Sequence, residues 1–461
     1  SFDSISYDSL NINASGVLGE RYRWAKVRPD SSTSILLNDV GIKMPTLSNK
    51  SVNPRQLTRY FRLTLQQLEN NGYPFARDKF NNVLIYEKTI EAQLIIDKGK
   101  RVLIDTIYLK GDAKLTNKKL AAIINLKKGE PYSESKIRKI DKRLKQQQFL
   151  SQIKPTEVEF LSHKARVYCY LNNKMASRFW GLAGFYSDKT DKKIRLNGEL
   201  NLSLINSFKS GEKINFEWSA PGKGTQKLNL STDLPYTFGW QVGVIGAFSL
   251  YRQDSTNITI NPKFSFTIYT SNGGRFLLNV DYKSTSYTLN SDVSQTQYAD
   301  VTAFLYGLGY EFCNFDNITL PTKGLLVKTN LNTGSRTIKQ SPSSNLLEGD
   351  LFTEVYFPIH ENRLIFAVRT NSKVRTIYNT KGRYTLFNNE MYKIGGMGTI
   401  RGFNQETILS SAYSVATLEF HLRMSEGLGI YIFSDKAYAK TYESGESKNN
   451  WPLGVGIGLN M

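Results

Sequence analysis

From Ile194 onward, apolar and polar residues alternate with a period of two. Ile194, Leu196, Gly198, Leu200, Leu202 and Leu204 share one parity; Arg195, Asn197, Glu199, Asn201 and Ser203 share the other. Ordinary soluble strands stop at roughly five or six residues, whereas a bilayer-crossing strand needs about ten. The pattern returns at Trp240, Val242, Val244, Gly246, Phe248 and Leu250, then at Phe276, Leu278, Val280 and Tyr282, and later at Ala412, Ser414, Ala416, Leu418 and Phe420. About fourteen such strands fit between Ser177 and Met461. This predicts an all-β antiparallel transmembrane barrel over residues 176–461, each strand showing one face to lipid and one to a lumen. The competing architecture is a large soluble β-sandwich or propeller, in which the same apolar parity would face a dry core.

Before residue 175 the periodicity is mixed. Residues 101–175 read as strand, helix, helix, strand, strand. Arg101–Lys110 alternates and ends at Gly111-Asp112, and Asn117–Asn125 has helical spacing. Ser133–Gln148 reads as one Ser-capped helix with Ile137, Ile140 and Leu144 on its buried stripe. Gln152–Phe160 and Ala165–Leu171 follow as strands. Residues 1–100 hold a unit that repeats the second half of this order. Asn53–Asn71 is a helix striped by Leu57, Phe61, Leu65 and Leu68, and Asn82–Glu87 with Ile90–Asp97 forms a hairpin. Asp30–Ser34 reads as a loop, and the first fifty residues offer no clear first strand.

Composition narrows the function. The mean hydropathy is −0.38, a value shared by soluble proteins and by barrels that hide apolar residues at every second position. No apolar run reaches the roughly 18 residues of a membrane-spanning helix. The net charge is +20. Residues 1–175 hold 31 Lys and Arg against 17 Asp and Glu, a balance of +14, so the remainder carries only +6. Such an arm suits a lysine-rich solvated face or an anionic lipid surface. No nucleic-acid motif accompanies it, and nucleic acid is not expected as a partner. Cys169 and Cys313 lie far apart and His163, His360 and His421 are scattered, so neither a disulfide framework nor a metal site is expected. No nucleophile–base pair or acid dyad stands out, so no catalytic residues, cofactor or enzyme activity are expected. Pro221-Gly222-Lys223-Gly224 lacks the ending of a phosphate loop and reads as a hairpin turn. The chain starts at Ser1 without the basic, apolar leader of an exported protein, which implies that a leader has been removed.

Three local patterns carry a resemblance. Gly395-Gly396-Met397-Gly398-Thr399-Ile400-Arg401-Gly402-Phe403 resembles the loop signature of the BamA/TamA superfamily of outer-membrane assembly and translocation proteins. Asp316 through Pro321 to Gly324 is similar to the periplasmic turn opening the second half of those barrels, and Leu65–Phe75 to the helix–strand junction of their POTRA domains. By strand count the first turn follows the eighth strand, and Arg401 lies in the loop after the eleventh. The resemblance implies POTRA domains in the periplasm followed by a barrel in a Gram-negative outer membrane. It further implies that Arg401 enters the lumen and pairs with acidic residues on the next two strands, here Glu419 and Asp435. A planar guanidinium suits that role because it meets carboxylates in pairs of hydrogen bonds. The sequence departs from the family at Ala437, where a Gly usually stands two residues after the Asp.

The resemblance also implies sixteen strands, of which about fourteen are present, so the closing hairpin is expected to be missing. It implies assembly of other barrels, with unfolded outer-membrane proteins as clients and possible periplasmic accessory proteins at the POTRA domains. The working part would be a weak seam between the last strand and the first, Ser177–Ser187, which holds Phe179 and is thinned by Gly181 and Gly184. A dedicated secretion channel of the same superfamily is the rival function; a passive porin is a further one.

Overall fold

A computed structural model describes residues 1–461 except 1, 7–8, 13–20, 40, 42–49, 188–193, 223–224, 254–256, 288–297, 319, 340, 361–362, 379–385, 426–427, 444–445 and 461. Lys223 and Gly224 of the expected hairpin turn therefore lie outside the described residues. The segments Ser1–Tyr108, Leu126–Lys139 and Glu157–Tyr168 form one compact unit. Leu109–Asn125, Ile140–Thr156 and Cys169–Met461 form the other.

The strands β1 (Phe2–Ser6) and β2 (Ser9–Ile12) pair with each other. Then come β3 (Arg23–Pro29), α1 (Ser31–Asp39), α2 (Pro54–Asn70), β4 (Arg77–Tyr86) and β5 (Thr89–Asp97), with sheet order β3-β5-β4 and β3 parallel to β5. The loop expected at Asp30–Ser34 is instead the start of α1. Asp30 accepts from the Thr33 amide (2.8 Å), and the Thr33 hydroxyl, fully buried, accepts from the Ile96 amide (2.9 Å). A Ser- and Asp-rich string reads as a loop, yet these same residues cap helices. Helix α2 opens on the Asn53 cap, as its amphipathic stripe predicts, and Leu68 is buried with Leu36, Leu37, Leu94 and Ile96.

The next module repeats this order: β6 (Leu103–Lys110), α3 (Asn117–Ile124), α4 (Glu134–Ile137), α5 (Ile140–Lys145), β7 (Leu150–Leu161) and β8 (Lys164–Asn173), with sheet order β6-β8-β7. The single helix expected over Ser133–Gln148 is two short ones. Ser133 makes no side-chain cap bond, and its hydroxyl donates to Asn70 Oδ1 (3.0 Å). Ile140 and Leu144 are buried, while Ile137 is only half-buried. Alternation in β8 is strict, with Ala165, Val167, Cys169 and Leu171 all at 0% exposure.

The remaining strands form one antiparallel sheet: β9 (Arg178–Ser187), β10 (Ile194–Ile205), β11 (Lys213–Gly222), β12 (Thr225–Leu234), β13 (Val242–Gln253), β14 (Asn257–Tyr269), β15 (Gly274–Tyr287), β16 (Val301–Cys313), β17 (Gly324–Ile338), β18 (Ser344–His360), β19 (Leu364–Tyr378), β22 (Ala412–Arg423), β23 (Gly429–Glu443), β24 (Glu446–Asn450) and β25 (Leu453–Asn460). Between β19 and β22 the short strands β20 (Tyr392–Ile394) and β21 (Ile408–Ser410) pair only with each other. Among the described residues fifteen strands make this sheet, but β24 and β25 both pair with β23, so they occupy fourteen positions along the wall. Among the described residues, the outer edges of β9 and β25 pair with nothing, and the sheet is open between them.

The two faces of the wall are inverted relative to a soluble core. Phe276, Leu278, Val280 and Tyr282 are 42–54% exposed, whereas Leu277, Asn279, Asp281 and Thr285 of the opposite parity are buried. Phe304, Tyr306 and Leu308 repeat the outward set on β16, and Leu418, Phe420 and Leu422 on β22. Inside, polar side chains bond across strands, as in Ser265–Asn279 (2.7 Å) and Asn279–Asn330 (3.0 Å). Apolar groups outside and hydrogen-bonded polar groups inside make the arrangement a barrel wall in lipid. Trp240 and Phe420 face outward, and Leu200 and Val244 are half-buried; the side chain of Leu196 lies outside the described residues. At one end of the wall the Gln241 amide donates to Ala122 O of α3 (2.5 Å), and Arg143 of α5 donates to Ser271 O (2.6 Å).

Candidate functional site: the inner loop and the open edge

The site is built on residues 386–411, which turn back along the inner face of the wall. Positive φ at Gly395 (118°), Gly396 (89°) and Gly402 (88°) makes the reversal possible. A Cβ at Gly395 would stand 2.3 Å from Asn404 O. Ile394 and Ile400, both fully buried, pack with Tyr413 and Val415 of β22 and Ala437 and Ala439 of β23, with Phe403 half-buried beside them. Ala437 stands where the family pattern has a glycine. Its methyl fills this cluster, so the departure leaves the position of Asp435 intact.

That packing presents Arg401 to two adjacent strands. Its Nε and Nη2 donate to Asp435 Oδ2 and Oδ1, both at 2.7 Å, and its backbone amide donates to Oδ2 at 3.0 Å. Nη1 lies 2.7 Å from Glu419 Oε1. The guanidinium carbon sits 3.6 Å from the centroid of Phe433, which lies two residues before Asp435 on the same face. Thr417 Oγ1 donates to Asp435 Oδ1 (2.8 Å), and His421 Nε2 lies 3.0 Å from Glu419 Oε2. Burial alone would lower the Arg401 pKa, but hydrogen bonds to Asp435 and Glu419 outweigh it and raise it, so the cation is permanent. The structure thus brings together Arg401, Glu419 and Asp435. The roles of Phe433, Thr417 and His421 were not legible, because an aromatic or hydroxyl on an alternating strand carries no distinguishing signal.

A second lock lies nearer the other end of the loop and was missed in the sequence. Arg336 of β17, 0% exposed, donates from Nε and Nη2 to the two oxygens of Glu390 (2.7 and 2.6 Å). Glu390 also accepts from the Phe387 amide (3.1 Å).

The turn between β16 and β17 is organised by Asp316. Its Oδ1 accepts from the amides of Asn317 (2.9 Å), Thr322 (2.9 Å) and Lys323 (3.1 Å), and its Oδ2 accepts from the Thr322 hydroxyl. Burial pushes this carboxyl up, but those donors win and hold it below the usual aspartate range. Pro321 is half-buried, and Gly324, at φ 128°, closes the turn where a Cβ would lie 2.8 Å from Asn314 O. Thr319 lies outside the described residues.

At the open edge, Phe179, Leu182 and Phe185 are 71–77% exposed. Gly181 faces Leu200 and Gly184 faces Asn197 on β10. On the other edge, β25 carries glycine at three successive positions of one face, 454, 456 and 458. A Cβ at Gly454 would lie 1.9 Å from Arg401 O, at Gly456 2.7 Å from the Phe433 ring, and at Gly458 2.1 Å from the Tyr431 ring. No group of three or more His, Cys, Asp or Glu arranged to hold a metal occurs among the described residues.

The profile of the Omp85 superfamily domain matches residues 190–461, and that of the POTRA domain, a surface antigen variable number repeat, matches residues 102–174. Among solved structures the chain is similar to CdiB from Acinetobacter baumannii (12% identity, covering 96% of this chain and 84% of that one, TM-score 0.59). It is similar also to CdiB from Escherichia coli (12%, 99% and 88%, 0.58) and to BamA from Haemophilus ducreyi lacking POTRA domains 1–3 (14%, 95% and 93%, 0.48). No curated protein matches the chain.

Proposed function

Because the chain belongs to the Omp85 superfamily, with a POTRA domain ahead of its outer-membrane barrel, we propose that it folds and inserts other β-barrel proteins into the outer membrane of a Gram-negative cell, with its α/β modules in the periplasm. The observation that carries this reading is the first barrel strand: β9 holds Gly181 and Gly184 and leaves Phe179, Leu182 and Phe185 71–77% exposed. Unpaired N–H and C=O groups in lipid are costly. An incoming strand relieves that cost by pairing with β9, so an edge that is a liability in an ordinary barrel becomes a template here. The glycines of β9 favour exchange, since glycine in a strand interior weakens it. The sheet edges of the α/β modules, β4 above all, offer further strands on which an extended client or an accessory protein can add. This work requires no bond-making chemistry, and we assign no catalytic group.

The test is depletion in the native host followed by quantitation of the outer-membrane proteome. Loss of many barrels at once supports assembly. Loss of one secreted protein with the barrels intact would replace this reading with a dedicated secretion channel.

A further inference from the structure

We propose that the inner loop is a gate across the lumen, held firmly on β22 and β23 and latched weakly to the opposite wall, where Lys227 and Tyr251 meet Glu406 and Lys393. The gate is a property of the barrel interior and holds whether the lumen serves assembly or export.

Three observations carry it. First, the loop bridges the interior. One side of it packs on β22 and β23 through Ile394 and Ile400. On the other side Glu406 pairs with Lys227 of β12, and Lys393 donates to Tyr251 OH (3.0 Å) and Gln253 Oε1 (2.8 Å) of β13. Strands β12 and β23 are separated by eight others in the sheet order, so a body touching both crosses the lumen. Second, that body is stiff. The β20–β21 pairing and the bond from Gly395 N to Thr399 Oγ1 (2.7 Å) make it move as a unit. Third, its two sides are held with different strength. Arg401 and Asp435 are at least nine-tenths buried and share three hydrogen bonds, and the loop's start is fixed by the buried, doubly bonded Arg336–Glu390 pair. The far contacts are made by lysines, whose ammonium is a point charge without the planar fork of a guanidinium. The Lys227 and Glu406 side chains stay 24% and 26% exposed. Water and salt screen such a pair, and it holds weakly. Tyr251 gives the latch its focus: its ring centroid lies 4.2 Å from Lys393 Nζ and 5.7 Å from Lys227 Nζ, so one aromatic face and one carboxylate gather two cations. A stiff body held firmly on one side and weakly on the other parts at the weak side, and the passage opens between the loop and β12–β13.

The experiment reconstitutes the full chain in planar bilayers and records the fraction of time that single channels are open, which unlike conductance does not scale with the salt itself. The parent should be mostly closed at 0.15 M salt. Glu406→Gln should raise its open fraction roughly two- to fivefold, the range that a partly exposed ion pair supports. Lys227→Glu and Glu406→Lys should raise it further, and the double exchange Lys227→Glu with Glu406→Lys should restore the parent value. At about 1 M salt, where screening acts within about 3 Å, the parent should approach the open fraction of Glu406→Gln. Lys110→Glu, an equal charge change at an exposed position of the α/β arm, is the control and should match the parent. Heat-modifiable gel migration identifies any reversal that has failed to fold, and Glu406→Gln, which keeps the side chain's shape, then decides alone. A parent already open, a Glu406→Gln variant that gates like the parent, or a folded double exchange that stays open would overturn the latch. These readouts need no client, so failure of the assembly reading shows separately, as a barrel proteome unaffected by depletion.

Discussion

Arg401 and Asp435 meet through two parallel side-chain hydrogen bonds of 2.7 Å and a third from the Arg401 amide, on the inner face of β23. Both side chains are at least nine-tenths buried. The pair therefore fixes the loop backbone as well as the side chain, and Glu419 adds a second carboxylate on the neighbouring strand.

Removing one partner strands the other. For buried pairs that loss is about 3–5 kcal/mol, and hydration in a polar lumen reduces it toward 2 kcal/mol. Arg401→Ala and Asp435→Asn should free the loop to added protease and lower assembly activity while leaving the heat-modifiable barrel band unchanged. Arg401→Lys should retain part of the protection, since an ammonium cannot make the paired contact. Combining Arg401→Ala with Glu419→Gln should cost less than the sum of the two. Strict additivity would show that the groups act independently.

The Arg336–Glu390 pair predicts a different pattern. Glu390→Gln alone should loosen the start of the loop by roughly 2–4 kcal/mol, because a fully buried guanidinium loses its counter-charge. Arg336→Met with Glu390→Leu should recover most of that stability. Thermal unfolding in detergent distinguishes the outcomes; a double variant no better than the single one would refute the explanation.

Ile140 is fully buried in the second α/β module. Ile140→Ala should destabilise that module by about 2–5 kcal/mol, and Ile137→Ala, at a half-buried position, by clearly less. Limited proteolysis of the full chain should cut the arm of the Ile140 variant first and leave the barrel fragment resistant.

Asp316 sets a pH window. Its folded pKa is depressed below the ordinary aspartate value of 3.8, so its contribution is complete above that value and is lost as pH falls through the lower folded one. The unfolding temperatures of parent and Asp316→Asn should therefore differ by a constant amount at neutral pH and converge below about pH 4. A difference that persists unchanged at pH 3 would mean the carboxylate charge is not what holds the turn.

What the sequence determined by itself was whatever repeats locally. Alternation along β10, β15 and β22 fixed the wall and its outward face, because a period of two leaves one choice of side. The stripe through Leu57, Phe61, Leu65 and Leu68 fixed α2, and the glycines around Arg401 marked a folded-back loop. Tertiary structure decided the rest. Residues 23–29 became a strand only by lying parallel to β5, 65 or 66 residues on, and Asp30 turned from loop residue to helix cap because Thr33 found the Ile96 amide. Ser133 gave up capping for Asn70, and the helix after it broke in two. Lys227 with Glu406, Arg336 with Glu390, and Gly454 under the Arg401 carbonyl are contacts between segments separated by 50 to 180 positions in the chain. No local pattern encodes them, since a lysine, a glutamate or a glycine on an alternating strand looks the same whether it faces water or its one partner across the lumen. The curl of the sheet brings them together, and that curl is a property of the whole wall.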